Sequence, residues 1–373
     1  MRSMFRILTA VAALALAACG PGVTVPPFVG DPVALERDKQ VFVEAMKPRN
    51  AGRPVIAVLA LNEGTETTDF LLTHAVLKRA DVADVRPVAL HRGRVRLYPA
   101  LEVEVAEDLA EFDRKNPAGA DYVIVPAMVR ENAPEILAWL RQQADRGARI
   151  IGVCVGGVVV GEAGLLDGRR FTGHWFSRKD MLKNPGATYV PHRRYVADRG
   201  VATTTGITAS IPTMLAVVEA IGGPDKAASV AAEMGVASWA PAHDSTPFAL
   251  TAGRMWNYVL NKADFWNKER WDIEVPPGGD DTVLALTADA WERTGRTRVE
   301  AVSESSPVKL RSGLALVTQP ATEGKRRVAL TASLTPMKQL NRTLCEIGER
   351  YGASRREWVM LEMEYAQPAV CSE

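Results

Sequence analysis

The stretch that decides the fold is a cysteine flanked by glycines between two apolar runs. It reads Ile150-Ile151-Gly152-Val153-Cys154-Val155-Gly156-Gly157-Val158-Val159-Val160. The first run is typical of a buried strand, and the second is typical of the start of a helix. Glycines two positions before and after the cysteine allow a strand to turn sharply into a helix, which holds the middle residue in a strained conformation. The pattern therefore predicts a nucleophile elbow that presents Cys154.

A thiol at such an elbow is expected to be activated. Backbone N–H groups and the positive end of the new helix both lower the pKa of a thiol. We therefore expect the pKa of Cys154 to lie below the ordinary value of about 8.5. The alternative is a small buried cysteine in a glycine-rich turn of a parallel sheet.

Apolar runs alternate with helical spacing on both sides of Cys154, which indicates an open α/β sheet. Strands are expected at 55–60, 82–90, 122–126 and 149–153, helices at 66–79, 134–146 and 208–221, and a small hairpin at 94–105. In such sheets the ligand crevice lies outside the carboxyl ends of the strands. Cys154, the turn 126–128 and the loop 62–69 all fall at such ends, so we expect a functional site there.

Beyond Phe248 the sequence changes character, and two interpretations stay open for residues 249–373. Residues 282–286, 308–316 and 327–332 echo strands or hairpins of the first half, and a further strand is expected at 358–361 with no cysteine after it. The first interpretation is a truncated second copy without a site. The second is an unrelated α+β extension.

The N-terminus predicts export. Two arginines precede the apolar stretch 7–18, which is too short to span a bilayer and is typical of a signal peptide. The stretch ends in Leu16-Ala17-Ala18-Cys19, which resembles a bacterial lipobox, in which the cysteine becomes acylated. We therefore predict a lipoprotein signal peptide over 1–19, a tether over 20–52 and a lipid-anchored protein on the periplasmic side of the cell envelope. An ordinary signal peptide cleaved nearby is the alternative.

Composition narrows the classes of function. The chain has 373 residues, 47% of them hydrophobic, and a net charge of +1. This balance offers no electrostatic footprint for nucleic acid, and membrane contact is expected through the lipid only. The five histidines are scattered, so we predict neither a metal site nor a cofactor. Cys345 and Cys371 either pair or remain two free thiols, and the oligomeric state stays open.

Five short motifs carry a family resemblance. They are 121–126, 152–156, 162–170, 172–175 and 204–210. In this order and spacing they resemble the ThiJ/PfpI family of the class I glutamine amidotransferase-like superfamily, and within it the ligand-sensing half of AraC-type regulators. The resemblance implies a flavodoxin-like three-layer sandwich with a mostly parallel sheet over 53–248. It also implies a small-molecule substrate or ligand.

The resemblance further implies the roles of individual residues. Cys154 would be the nucleophile, and Asp69 would be a protonated acid that hydrogen-bonds the sulfur, with Glu66 or Glu63 as alternatives. His174 would be a proton shuttle. The backbone N–H groups of Val155, Ala127 and Met128 would form the oxyanion hole.

Several positions depart from the family pattern. The usual Pro-Gly-Gly turn reads Pro126-Ala127-Met128, and Val155 replaces the usual serine or threonine. These changes alter the shape and polarity of the pocket without removing backbone donors. We therefore expect a cysteine-dependent enzyme that acts on a small electrophile by hydrolysis, hydration or glyoxalase-like chemistry. A non-catalytic binding protein or a redox sensor is the alternative.

Lipidation of Cys19 is directly testable. We expect the Cys19→Ala variant to leave the membrane fraction, because the substitution removes the atom that carries the acyl chains. Fractionation of cells that express the wild type or the variant measures this. Equal membrane association of the two proteins would refute lipidation.

Overall fold

The structure is a computed structural model of the chain, and it describes residues 23, 25–249, 268–321, 323–331, 333–365 and 371. The predicted signal peptide and Cys19 lie outside these residues. In the described ranges, no helix is both long enough and apolar enough to cross a membrane.

The described chain alternates strands and helices in the first half and returns to a similar order in the second. The strands are β1 (Val55–Ala60), β2 (Thr65–Glu66), β3 (Asp84–Ala89), β4 (Gly93–Tyr98), β5 (Glu102–Val105), β6 (Tyr122–Val125), β7 (Arg149–Gly152), β8 (Arg170–Phe171), β9 (Thr188–Tyr189), β10 (Tyr195–Asp198), β11 (Val201–Thr204), β12 (Glu269–Glu274), β13 (Thr297–Val302), β14 (Val308–Lys309), β15 (Ala315–Leu316) and β16 (Arg326–Val328). The helices are α1 (Pro32–Ala45), α2 (Thr67–Ala80), α3 (Leu109–Lys115), α4 (Pro134–Asp145), α5 (Gly156–Glu162), α6 (Arg178–Met181), α7 (Ser210–Gly222), α8 (Pro224–Met234), α9 (Asp281–Arg293), α10 (Pro336–Tyr351) and α11 (Ala353–Glu362).

A six-stranded sheet forms the centre of the first half. Its strand order is β10-β11-β7-β6-β1-β3, and every neighbouring pair is parallel except β10 with β11. The four strands predicted at 55–60, 82–90, 122–126 and 149–153 are confirmed as β1, β3, β6 and β7. The three predicted helices and the hairpin are confirmed as α2, α4, α7 and β4–β5.

Both faces of this sheet are covered, as the continuous apolar runs require. In β1, Ile56 and Val58 face a core shared with α2 and α7, whereas Ala57 and Leu59 face a second core shared with α4. Alternate residues of a strand point to opposite faces, so a strand between two helical layers must be apolar throughout. The predicted three-layer sandwich with a mostly parallel sheet is therefore confirmed.

The tether predicted over 20–52 is wrong for its central part. Asp31 caps the N-terminus of α1 through a 3.0 Å hydrogen bond from the backbone N–H of Val33. Phe42 and Met46 are buried, and the Met46 carbonyl accepts a 2.5 Å hydrogen bond from the Tyr122 hydroxyl. These contacts fix α1 against the domain, because the free energy gained by burying two large side chains exceeds the conformational entropy that a short linker loses.

Two strands predicted in the second half are also wrong. Residues 282–286 lie in α9, whose N-terminus is capped by Asp280 through hydrogen bonds from Thr282 and Val283. Residues 358–361 lie in α11. The run in α9 is buried on every side. A fully buried run shows no hydrophobic periodicity, so its sequence does not distinguish a helix from a strand. Cys345 and Cys371 form a disulfide, which settles the alternatives left open above.

The second half nevertheless repeats the topology of the first. Strand β12 pairs in parallel with both β13 and β16, as β1 pairs with both β3 and β6. The hairpin β14–β15 corresponds to β4–β5. Leu310 N–H donates to the Leu314 carbonyl at 2.9 Å, and Leu97 N–H donates to the Leu101 carbonyl at 3.0 Å. These correspondences support a partial repeat over an unrelated extension.

The two halves meet through equivalent elements. Strand β15 pairs antiparallel with β5, which places Leu316 opposite Val103. Helix α9 packs antiparallel on α2, with ion pairs at the two ends: Arg293 to Glu66 at 2.8 Å and Arg79 to Asp280 at 2.8 Å. Contact between equivalent elements in opposite directions is the arrangement of a two-fold dimer interface. Here it lies within a single chain.

Removal of the second half tests this interpretation. A chain that ends at Phe248 loses the partner strand of β5 and the helix that covers α2, so it exposes an unpaired edge and an apolar face. We expect this truncated chain to dimerise or aggregate, and the full chain to be a monomer, in size-exclusion chromatography with light scattering. A monodisperse, monomeric truncated chain together with independent folding of residues 250–373 would contradict the partial repeat.

Candidate functional site

Cys154 lies in the sharp turn between β7 and α5. Its φ is +57°, a left-handed conformation that is rare for residues other than glycine. The close packing around it explains the flanking glycines. A Cβ atom on Gly156 would lie 2.0 Å from the Val125 carbonyl oxygen, and one on Gly152 would lie 2.9 Å from the Cα atom of Gly157. Glycine is therefore required at positions 152 and 156 for the close backbone packing that holds Cys154 in its left-handed conformation.

The predicted lowering of the Cys154 pKa is wrong for this arrangement. The cysteine is 4% exposed, and burial raises the pKa of its thiol well above the ordinary value. Electrostatic coupling to the acids Asp69, Glu66 and Glu364 raises it further, and the hydrogen bond from the Val155 N–H only partly offsets this effect. The thiol is therefore protonated at rest.

Asp69 lies in the first turn of α2 and is completely buried. Its Oδ2 atom accepts a 3.1 Å hydrogen bond from the Ala127 N–H, and its Oδ1 atom has no hydrogen-bond partner among the described residues. Burial and the charge of Glu66 raise its pKa. The predicted protonated acid is thus supported, but no hydrogen bond joins it to the Cys154 sulfur in the described part of the chain.

Glu66 is a second buried acid beside Asp69. As the N-cap of α2, its Oε2 atom accepts hydrogen bonds from the Asp69 N–H at 2.6 Å and from the Thr68 hydroxyl at 2.7 Å. Burial and the charge of Asp289 raise its pKa from 4.5 to about 7. Glu63, the other alternative, is exposed and pairs with Arg130 at 2.6 Å. Glu63 therefore lies outside the site.

The second half of the chain contributes a buried cation to this acid pair. Arg293, at the end of α9, contacts Glu66 at 2.8 Å, Asp289 at 2.7 Å and Glu362 at 3.3 Å. Sequence reasoning missed this residue, since 227 positions separate Arg293 from Glu66 and no local pattern links them. The sequence does indicate Glu66, because an acid that lies three residues before Asp69 at the start of the predicted helix can cap that helix.

His174 does not have a free ring nitrogen. Its Nδ1 atom accepts a 3.3 Å hydrogen bond from the Phe176 N–H, and its Nε2 atom lies 3.1 Å from the Glu362 carbonyl oxygen. Burial lowers its pKa from 6.5 to about 3, so the ring is neutral and Nε2 carries the proton. In this arrangement His174 cannot serve as the predicted proton shuttle.

The predicted oxyanion donors are only partly available. The Val155 N–H is directed at the Cys154 sulfur. The Ala127 N–H donates to Asp69, so it is not the free donor that the sequence predicts. Met128 lies opposite Thr65 in an isolated antiparallel bridge.

A segment of the second half, residues 361–364, closes the site. The Trp175 indole donates to the Leu361 carbonyl at 2.9 Å, and the Thr208 hydroxyl donates to the Glu364 carbonyl at 2.9 Å. Trp175 lies in the turn before α6, and Thr208 lies in a short 3-10 helix after β11. Among the described residues no three or more His, Cys, Asp or Glu side chains are grouped to hold a metal ion.

Comparison with known proteins finds a family and several relatives that match parts of this chain. Residues 55–220 match the DJ-1/PfpI family. An isonitrile hydratase from Pseudomonas putida is 35% identical over 131 residues, which cover 35% of this chain and 54% of that protein. The HTH-type transcriptional regulator CdhR from Pseudomonas aeruginosa is 33% identical over 116 residues, which cover 31% of this chain and 34% of that protein. The chain thus spans about half the length of the first relative and a third of the second.

Among solved structures, a ThiJ/PfpI family protein from Pseudomonas syringae has a TM-score of 0.48 at 22% sequence identity. The alignment covers 57% of this chain and 87% of that one. The match is confined to the fold.

The buried Glu66 predicts a specific pH dependence. Its folded-state pKa of about 7 lies above the ordinary 4.5, so its contribution to stability is complete below pH 4.5 and is lost as the pH rises to 7. The Glu66→Gln variant lacks this titration. We expect the unfolding free energy of the wild type, relative to Glu66→Gln, to fall by up to about 3 kcal/mol across that range.

Urea unfolding at pH 4.5 and pH 7 measures the difference. Glu63→Gln is the matched control, because it removes an exposed acid from the same loop and should show no such trend. Parallel pH profiles for the wild type and Glu66→Gln would contradict the buried titration.

Proposed function

From the DJ-1/PfpI family domain that residues 55–220 form, we propose that Cys154 is the nucleophile of an enzyme that adds water to a small electrophile. An isonitrile is the probe of choice, because a relative that is 35% identical over 131 residues is an isonitrile hydratase. Hydrolase and glyoxalase-like reactions use the same nucleophile and belong to the same proposal.

One observation carries the proposal: a strained thiol and a protonated carboxyl share one dry site. Cys154 has a φ of +57°, and burial raises the pKa of the nearby Asp69. A fixed nucleophile next to a proton donor is what addition to a C–N multiple bond requires. A structural cysteine in a turn has no need of two buried acids beside it.

The reaction can be written with the groups present. The Cys154 sulfur bonds to the isonitrile carbon, and the proton of the thiol reaches that carbon through Asp69, which gives a thioimidate. Water then adds to the same carbon and gives one proton to the nitrogen. The carbon–sulfur bond breaks as the C=O bond forms, and the remaining hydroxyl proton passes to the sulfur. The net change is an isonitrile plus water to an N-substituted formamide, with the enzyme unchanged.

Catalysis in this scheme requires the site to open. Cys154 is 4% exposed and residues 361–364 cover its surroundings. Movement of that segment would release the His174 Nε2 proton from the Glu362 carbonyl and admit water and substrate together. Opening would also lower the pKa of the thiol, because water would then solvate the thiolate.

A second function, binding without turnover, rests on a different observation. The Ala127 N–H is bonded to Asp69, so one of the predicted oxyanion donors is occupied, and both His174 nitrogens are engaged. A binding or redox-sensing role needs no oxyanion hole. The relative CdhR is named as a transcriptional regulator, which favours such a role for a related domain.

The proposal places the protein at the periplasmic face of the cell envelope, anchored by lipid on Cys19. The Cys345–Cys371 disulfide supports an oxidising compartment, since such bonds are rare in the reducing cytosol.

Benzyl isocyanide and the full chain without its signal peptide test the activity. We expect mass spectrometry to detect N-benzylformamide at a rate proportional to enzyme concentration. Cys154→Ser should lose at least about a hundredfold in rate, because a neutral hydroxyl is a much weaker nucleophile at the same position. Glu63→Gln should keep the wild-type rate, since that side chain is exposed and outside the site.

The binding alternative has a distinct outcome. Saturable binding of the isocyanide to both the wild type and Cys154→Ser by calorimetry, without formamide, would replace the enzymatic proposal with a binding function. Absence of both binding and formamide would refute the isonitrile as the substrate class.

A further inference from the structure

The carboxylate of Glu364 is held in a cradle of donors that belongs to the first half of the chain. Its Oε1 atom accepts from the Trp175 N–H at 2.9 Å and lies 3.2 Å from Arg178 Nη2. Its Oε2 atom accepts a short hydrogen bond from the Gly206 N–H. The Arg178 and Glu364 side chains are 3% and 1% exposed. The cradle therefore offers donors to both oxygens of a planar, singly charged anion.

Contacts other than those to Glu364 also hold the residues of the cradle in place. Arg178 Nε donates to the Gly173 carbonyl at 3.3 Å, and its guanidinium lies 5.2 Å from the centre of the Tyr189 ring. At Gly206 a Cβ atom would lie 2.6 Å from His174 Cδ2 and 2.8 Å from the Glu364 carboxylate, so only glycine lets its N–H approach so closely. Such preorganisation is typical of a binding site.

The cradle also adjoins the thiol. Gly206 follows β11 by two residues, and the last residue of that strand, Thr204, accepts a 3.2 Å hydrogen bond from the Cys154 N–H. The charge of Glu364 contributes to the raised pKa of Cys154. One small molecule can therefore place its anionic group in the cradle and its electrophilic atom at the Cys154 sulfur.

Glu364 reaches the cradle as part of a docked segment. Backbone carbonyls of the segment accept from the Trp175 indole, from the Thr208 hydroxyl and from the Thr208 N–H, at distances from 2.9 to 3.2 Å. Glu364 itself has a φ of +47°, which is unusual for a residue with a side chain. The first half of the chain thus binds residues 361–364 much as a receptor binds a short acidic peptide.

Withdrawal of this segment would leave a buried guanidinium without a counter-ion, which is costly unless another anion replaces it. We propose that the cradle formed by Trp175, Arg178 and Gly206 is the subsite for the carboxylate of a small ligand whose electrophilic atom meets Cys154, and that Glu364 fills this subsite while the segment is docked. This inference rests on the proposed function, because it takes Cys154 as the small-molecule site. The ligand class is a small monocarboxylate with an electrophilic carbon near the carboxyl group.

Two alkylating reagents of nearly equal size test the charge preference. Iodoacetate carries a carboxylate next to its electrophilic carbon, and iodoacetamide carries a neutral amide. In the full chain, Glu364→Ala empties the cradle. We expect the ratio of the Cys154 alkylation rates, iodoacetate over iodoacetamide, to rise at least about tenfold above the wild type, as measured by mass spectrometry of the Cys154 peptide.

Two further variants keep the test informative if Glu364→Ala folds poorly. Thr208→Val loosens the segment without changing a cradle donor, and should raise the ratio in the same direction by a smaller factor. Glu357→Ala removes an exposed acid from the same helix, α11, and should keep the wild-type ratio. Addition of Arg178→Gln to Glu364→Ala should return the ratio to the wild-type level.

A measurement that needs no thiol separates this inference from the proposed function. In the double variant Cys154→Ser and Glu364→Ala, sodium acetate should raise the melting temperature in a saturable manner, whereas sodium chloride at equal ionic strength should not. Acetate binding to this variant, together with no isonitrile turnover by the wild type, would refute the isonitrile as the substrate class and keep the subsite. Equal acceleration of both reagents, an unchanged ratio or no effect of acetate would overturn the subsite and assign Glu364 a structural role only.

Discussion

The contact between Arg293 and Glu66 is the interaction on which the architecture depends. A buried charge needs a buried partner, and each of these two residues comes from a different half of the chain. Removal of Arg293 would leave Glu66 without its partner in a medium of low polarity. The first half cannot therefore be regarded as a complete domain to which the second half was merely added. Its acid pair acquired a counter-ion by packing α9 against α2.

Burial sets the protonation state of the whole site. It raises the pKa values of Asp69 and Cys154 and lowers that of His174, so each of the three groups favours its neutral form. A dry site of neutral groups reacts slowly with oxidants and alkylating reagents while it is closed. The reactivity of this site therefore depends on the access of water to it. The arrangement departs from that of an exposed thiolate at a helix terminus.

Much of the first half could be predicted from sequence, because its signals are local. The apolar run 55–60 and the glycines around Cys154 are each visible within a few residues, whereas Asp69 was implied by the family resemblance. The contacts of Arg293 and Glu364 could not be predicted, since they join positions 227 and 158 residues apart. The direction of the Cys154 pKa failed for the same reason, because the burial that raises it depends partly on distant segments. Helix α1 could have been found from Asp31 and Pro32, which form a standard helix start.

The disulfide between Cys345 and Cys371 has a consequence for how a ligand would compete. The bond joins two cysteines 26 positions apart in the sequence, and residues 361–364 lie between them. After leaving the crevice, Glu364 cannot diffuse away, so its local concentration at the cradle stays at the millimolar level or above, as expected for a short tether. A free carboxylate of low affinity would not displace such an occupant. A ligand that displaces Glu364 from the cradle must therefore make further contacts, in addition to those that the carboxylate of Glu364 makes.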